Sequence, residues 1–206
     1  MTQIILGSIA LSLIHALIPS HWLPFITIGK AQGWDLRHIL RTTLFAGLAH
    51  TLSTTIFGLL VSFAGFKFSE NQNLIAGKVV PMLLIALGLW YIIQHYRSHE
   101  HRHIDEKILK GKTYKQLLFS LVIMMFVSPC FEIGAYFLSA GTMGWTAVAT
   151  IIIIYNLLTI SGMQLMVWLG YQGVKKLDIE WLKHNEQMIT GLTLIGLAVF
   201  NFLVEF

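Results

Sequence analysis

Three histidines and one glutamate stand inside long apolar segments of this sequence: His15, His21, His50 and Glu132. An ionisable side chain in such surroundings costs several kcal/mol unless it is paired, hydrated or functional. Imidazole nitrogens and a carboxylate oxygen together suit a divalent transition metal. The four residues therefore predict a metal site inside the apolar region, although any one histidine could instead serve as a hydrogen-bond partner between helices.

Pro19 lies between two of these histidines. A proline has no N–H to bind the carbonyl four residues earlier, so Pro19 leaves the carbonyl of His15 without its helical partner. On a straight helix His15 and His21 would be separated by about 240° of rotation and would not share a face. A break at Pro19 would allow the two imidazoles to converge, beside the Ser20 hydroxyl.

Three further polar residues are candidates for a metal or substrate pathway. Ser20 precedes His21, Cys130 follows Pro129 and offers a soft sulfur ligand, and Asn156 lies in the middle of another apolar segment. Each also has a plain structural interpretation. A cysteine often packs as a small hydrophobe, and an asparagine often joins helices through hydrogen bonds.

A histidine-rich stretch follows the third apolar segment. His95 and His99 are four residues apart and would share a helix face if that helix continued. Histidine-rich tracts are typical of metal binding, so we interpret residues 95–113 as a cytoplasmic loop that captures or senses metal. The alternative is a solvated basic loop. The four histidines concerned are His95, His99, His101 and His103.

The composition excludes a soluble domain. Of 206 residues, 55% are hydrophobic and 12% are charged, the mean hydropathy is +0.69, and a soluble domain carries about 25% charged residues. The single cysteine excludes an internal disulfide. We therefore predict an all-α integral membrane protein with one transmembrane domain, residues 1–206. Lipid is an expected partner, nucleic acid is not, and a homo-oligomer is left open.

Six apolar segments are long enough to cross a bilayer core, which needs about 20 residues. Twelve of the 14 lysines and arginines fall in the loops after the first, third and fifth segments. Because these residues concentrate in cytoplasmic loops, we predict both termini outside the plasma (inner) membrane. Trp22 and Tyr91, near segment ends, are interpreted as interfacial anchors. The predicted spans are 2–27, 39–65, 74–96, 114–140, 145–170 and 187–204.

Three spans followed by three more have halves of opposite orientation, which is the arrangement of an inverted repeat. The first and fourth spans each contain a proline break, at Pro19 and Pro129. The second and fifth each contain a polar patch, around His50 and Asn156. We predict a 3+3 inverted repeat with a site shared between the halves.

The first 60 residues resemble the nickel/cobalt exporter family known as NicO, and the related UreH-like membrane proteins of the lysine-exporter superfamily. The second half is similar only through Ser128-Pro129-Cys130. The matching residues in the first part are Leu13-Ile-His15-Ala-Leu-Ile-Pro19-Ser-His21, Gly33-Trp34 and Gly47-Leu-Ala-His50.

The resemblance implies a polytopic inner-membrane transporter of divalent metal, with His15, His21 and His50 as metal-site residues. This chain departs from the family pattern at Ser20, where the family has an acidic residue. A site without that carboxylate has less charge to neutralise a dication, and Glu132 is the candidate replacement.

Our first hypothesis is a transporter of divalent transition-metal ions, coupled to protons through Glu132 and the histidines, which titrate near neutral pH. One alternative is a metal-binding membrane enzyme or maturation factor without transport. Another is an exporter of a small non-metal solute. An enzyme is less favoured, because the sequence contains no Ser/His/Asp order, phosphate-binding glycine loop or zinc-protease motif.

Overall fold

The computed structural model describes residues 2–97, 113–173 and 179–204, which are almost entirely helical. A 3₁₀ turn at Ser69–Asn71, a single helical turn at Gln72–Leu74 and a π-helical segment at Ile75–Val79 lead into the fourth helix. The longer helices are α1 Thr2–Leu17, α2 Pro19–Ala31, α3 Leu36–Phe66, α4 Val80–Arg97, α5 Tyr114–Phe126, α6 Gly134–Met143, α7 Trp145–Tyr171 and α8 Ile179–Val204.

Five helical segments are long and apolar enough to cross a membrane, and they make the chain a multi-pass membrane protein. They confirm five of the six predicted spans. The region predicted as the fourth span contains two shorter helices, α5 and α6, separated by seven residues. The five segments are Ile4–Ala31, Leu36–Phe66, Ser69–Arg97, Trp145–Tyr171 and His184–Leu203.

The first span is broken at Ile18, between α1 and α2. Ile18 is extended, with φ −63° and ψ 122°, as expected for a residue that precedes proline. Pro19 then opens α2 at its first position, where a missing N–H costs nothing. The carbonyl of His15 accepts from the Ile18 N–H at 3.1 Å, so the carbonyl that Pro19 frees is satisfied locally.

The end of α1 is closed by a side chain. The buried indole of Trp22 donates to the carbonyl of Leu17 at 3.1 Å. A backbone carbonyl inside a bilayer needs such a partner, because no water is present to supply one. The interpretation of Trp22 as an interfacial anchor is therefore wrong.

The second break separates α5 from α6 at residues 127–133 and contains Pro129. The chain here is held against α3, since the Cys130 N–H donates to the Thr54 hydroxyl at 3.0 Å. Gly134 closes the far side of the break with a hydrogen bond from its N–H to the Phe131 carbonyl at 3.0 Å. Both breaks that the prolines predict are thus present.

The connection between α2 and α3 uses local signals. Gly33 adopts φ +67°, a conformation that favours glycine, and Asp35 caps α3 by accepting from the His38 N–H at 2.8 Å. The His38 ring lies 2.6 Å from the same carboxyl group. Hydrogen bonds from the backbone and side chain of His38 lower the pKa of Asp35.

The long helix α3 has small and polar residues inside and large apolar residues outside. Its buried face includes His50, Thr54 and Ser62, whereas Phe45 and Phe63 are exposed. This arrangement suits a helix whose outer face contacts lipid, because small residues allow neighbouring helices to approach closely and lipid tails accept large apolar side chains.

Two apolar clusters lie on opposite sides of the helix break at Ile18. One contains Ile4 and Leu11 of α1 with the N-terminal half of α7, α6 and the C-terminal half of α8. The other contains Trp22 and Phe25 of α2 with α5, the N-terminal part of α3 and the C-terminal half of α7. The first break lies where one cluster gives way to the other, and Cys130 and Ile133 of the second break belong to the first cluster.

Helices α4 and α8 cross at a pair of glycines, Gly88 and Gly191. A Cβ atom on Gly191 would lie 2.6 Å from the carbonyl oxygen of Gly88, and one on Gly88 would lie 2.7 Å from that of Gly191. Distances this short require the backbones to separate. Gly196, five residues further along α8, would place its Cβ in open space.

We expect Gly191→Ala to lower the free energy of unfolding by about 1–3 kcal/mol, because an extra methyl group in a closely packed crossing forces backbone shifts. Gly196→Ala is the matched control on the same helix and should be neutral or stabilising by up to about 1 kcal/mol, the helix-propensity gain. Thermal unfolding of the purified protein in detergent measures both. Equal behaviour of the two variants would contradict a close α4–α8 crossing.

Candidate metal centre

The break at Ile18 brings three histidines together. His15 lies in the last turn of α1, His21 in the first turn of α2, and His50 in the middle of α3. Ring centroids are 4.1 Å apart for His15 and His21, 5.1 Å for His21 and His50, and 5.6 Å for His15 and His50. One ligand nitrogen from each ring lies within 4.8 Å of the other two.

The spacing of two of these nitrogens suits a metal ion. The Nε2 atoms of His15 and His50 are 3.3 Å apart. In a tetrahedral site with metal–nitrogen distances of about 2.0–2.1 Å, two ligand nitrogens are separated by about 3.3 Å. If one ring carries a proton on this nitrogen, the pair forms an N–H···N hydrogen bond. If neither does, two lone pairs converge and can bind a cation.

The cluster is buried on one side and more open on the other. His50 is 1% exposed and His15 is 3% exposed, whereas His21 is half-buried and the neighbouring Ser20 is exposed. The Ser20 hydroxyl lies 3.3 Å from Nδ1 of His21. The side of the cluster formed by α2 is therefore the more accessible one.

A tyrosine and a threonine contact the buried side of the histidine cluster. The Tyr155 hydroxyl on α7 lies 3.2 Å from Nε2 of His50 and donates to the Thr54 hydroxyl at 3.3 Å. Nδ1 of His50 lies 3.4 Å from the Met125 carbonyl at the end of α5. These contacts join α3, α5 and α7 around one imidazole. The Met125 carbonyl faces the nitrogen that is turned away from His15 and can orient the ring for a metal, whereas the Tyr155 hydroxyl competes with an ion for Nε2.

Glu132 belongs to a different group of ligand atoms from the one predicted. Its carboxyl group accepts from the Cys130 thiol at 2.8 Å, and Sγ of Cys130 lies 3.6 Å from Nδ1 of His15. His15, Cys130 and Glu132 thus form a second, overlapping cluster. The predicted set of four ligands is divided into two triads that share His15, because the break after α5 places the thiol between the carboxylate and the imidazoles.

Three contributors were missed or misinterpreted from the sequence. The Tyr91 hydroxyl donates to Glu132, so Tyr91 is a partner of the cluster and not an interfacial anchor. Glu186 on α8 accepts from the Ser20 N–H at 3.3 Å. Tyr155 is the third. The sequence offered two signals for these residues. Glu186 stands at the edge of the last apolar segment, and Tyr155 follows a run of four isoleucines.

The remaining predicted residues lie elsewhere. Asn156 donates to the Thr55 hydroxyl at 3.1 Å and to the Ile152 carbonyl at 2.8 Å, which joins α7 to α3 and matches its structural interpretation. The His95 ring, near the end of α4, lies 5.7 Å from that of His184 on α8. Of the predicted loop, His99, His101 and His103 lie outside the described residues.

The fold and the site together define a multi-pass helical membrane protein with a buried cluster of side chains that could hold a metal ion. The chain is 28% identical over 89 residues to the urease accessory protein UreH of Bacillus sp. strain TB-90. The aligned part is 43% of this chain and 39% of that relative, so the likeness spans less than half of either protein. No family model matches the chain. No solved structure matches it.

We expect Tyr155→Phe to tighten metal binding by up to about tenfold, because the Tyr155 hydroxyl contacts the Nε2 atom of His50 that would bind the ion, and one hydrogen bond is worth about 0.5–1.5 kcal/mol. The ring still fills its place in the core, so the thermal stability should change little. Tyr136→Phe is the matched control, because that buried hydroxyl lies against Gly7 on α1. Competition with a metal indicator gives the affinities, and equal affinities for both variants would contradict the role of Tyr155.

Proposed function

We propose that this protein is a membrane transporter of divalent transition-metal ions and that His15, His21 and His50 bind the ion in transit. The observation that carries the proposal is the convergence of three imidazoles at a helix break, between two apolar clusters. Discontinuous helices around a site near the bilayer midplane are typical of transporters.

The charges around the cluster favour a cation. Glu132 lies beside His15 and Cys130, and Glu186 lies at the first turn of α2, beside the accessible side of the cluster. Two carboxylates near three neutral imidazoles can offset the cost of bringing a dication into an apolar region. In this proposal Glu132 supplies negative charge, although Cys130 lies between its carboxylate and the imidazole of His15.

The ligand types restrict the transported ion to transition metals that bind imidazole. Imidazole suits zinc, copper, iron and nickel, whereas magnesium and calcium prefer oxygen ligands. Nickel and cobalt are the ions that the resemblance to the NicO family implies. The partial likeness to a urease accessory protein supports an accessory role for an enzyme.

We further propose six membrane crossings, with α5 and α6 together forming the fourth, in a 3+3 inverted repeat. The helix contacts support this arrangement: α7 packs on both halves of the broken first span, α3 packs on both α5 and α6, and α4 packs on α8. Each broken span is thus matched with the unbroken middle span of the other half. The basic loops then face the cytoplasm and both termini lie outside.

We expect His50→Ala and His21→Ala each to reduce metal-dependent flux by at least about tenfold, since the loss of a ligand should cost no less than the loss of a supporting partner. Proteoliposomes that contain an internal metal indicator report the flux of Ni²⁺, Co²⁺, Zn²⁺ and Mn²⁺. His38→Ala is the matched control, because His38 is exposed and contacts Asp35 outside the cluster. His99, His101 and His103 are replaced in every variant to remove loop binding.

The outcomes separate the competing functions. Unchanged flux in both histidine variants would refute the site. A tightly held stoichiometric metal without flux would instead favour a metal-binding enzyme or maturation factor. Proton flux that depends on a non-metal solute and ignores metals would favour the exporter of a small solute.

A further inference from the structure

The imidazole of His15 faces two different groups through its two nitrogens. Nε2 lies 3.3 Å from Nε2 of His50, on the side of the three-histidine cluster. Nδ1 lies 3.6 Å from Sγ of Cys130, on the other side of the ring. A second set of ligand atoms therefore lies on the Nδ1 side of the His15 ring, opposite the three-histidine cluster.

That second set has one nitrogen, one sulfur and one carboxylate oxygen. Sγ of Cys130 lies 2.8 Å from Oε2 of Glu132, and one ligand atom from each of His15, Cys130 and Glu132 lies within 4.8 Å of the other two. All three side chains are buried, with Cys130 3% and Glu132 6% exposed. Such a set is typical of a site for a thiophilic metal ion.

Neighbouring residues hold these ligands in place. The Tyr91 hydroxyl donates to Oε1 of Glu132 and leaves Oε2 directed towards the thiol. The Cys130 N–H donates to the Thr54 hydroxyl, which in turn accepts from Tyr155. In metal sites generally, the ligands are oriented by hydrogen bonds from residues that do not themselves bind the metal.

We propose that His15, Cys130 and Glu132 form a second metal position, next to the three-histidine position and specific for ions that accept a thiolate ligand. A neutral imidazole has one lone pair, so His15 serves one position at a time and the two positions are occupied alternately. When the ion passes from Nε2 to Nδ1, the His15 proton leaves Nδ1 and a proton returns to Nε2. The ion displaces the proton of Cys130 on binding, and that proton leaves to solvent. This inference rests on the proposed transport function, because the second position is the next binding site on the path of the ion.

The mixed donor set has a consequence for selectivity. Zn²⁺, Co²⁺, Ni²⁺ and Cd²⁺ bind a thiolate readily, whereas Mg²⁺ and Ca²⁺ do not. An ion that reaches the three imidazoles but rejects sulfur would stop there. The second position therefore restricts the cargo to metals that tolerate both ligand types.

Titration of the purified full-length chain with Co²⁺ tests the second position. Cys130 is the single cysteine, so a thiolate-to-cobalt charge-transfer band in the near ultraviolet reports this residue alone. We expect the band in the wild type and none in Cys130→Ser. Glu132→Gln should require about tenfold or more Co²⁺ for the same band, and Glu70→Gln, an exposed carboxylate outside the site, should not. Size-exclusion elution confirms that each variant is folded.

The two proposals fail in different ways. Cobalt binding that shows no thiolate band, and that is lost in a His21→Ala/His50→Ala double variant, would overturn the second position and keep the three-histidine site. A band that Glu132→Gln and His15→Ala leave unchanged would also overturn it, because the thiol would then bind cobalt alone. A band with the expected variants but no metal flux in proteoliposomes would support the second position and overturn transport.

Discussion

The missing N–H of Pro19 is the constraint from which the rest of this site follows. It prevents one helix from continuing through the first span, and in a bilayer each backbone group that loses its helical partner must find another inside the protein. The Ile18 N–H and the Trp22 indole supply those partners for the carbonyls of His15 and Leu17. The turn of the chain at Ile18 then places His15 and His21 side by side, which a straight helix would not do.

The second break is held by side chains of α3 and α7. The chain between α5 and α6 can remain non-helical because Thr54 accepts the N–H of Cys130, and the same threonine is bound by Tyr155 next to His50. Irregular backbone at membrane depth is tolerated where protein surrounds it. The two breaks meet where Sγ of Cys130 lies 3.6 Å from Nδ1 of His15, and the polar side chains around the second break also line the cluster.

The apolar clusters on either side give the site its asymmetry. His15 and His50 are enclosed where the two clusters meet, while His21 and Ser20 remain accessible beside α8. Glu186 accepts a backbone N–H in the first turn of α2, where the positive end of a helix dipole favours a carboxylate. In the proposed transporter, a dication that approaches from this side would pass Glu186 before it reaches the imidazoles.

The sequence by itself determined the class of protein, most of the helices and the helix breaks. Hydropathy, proline chemistry and basic loops act over a few residues, so a linear pattern records them. It also identified His15, His21 and His50 as residues that need a reason to be buried. It could not determine which atoms meet, because that depends on how each helix is rotated and how closely it approaches its neighbours. Only the tertiary structure grouped Glu132 with His15 and Cys130 and not with His21 and His50. It also brought Tyr91, Tyr155 and Glu186 from three other helices to the same centre.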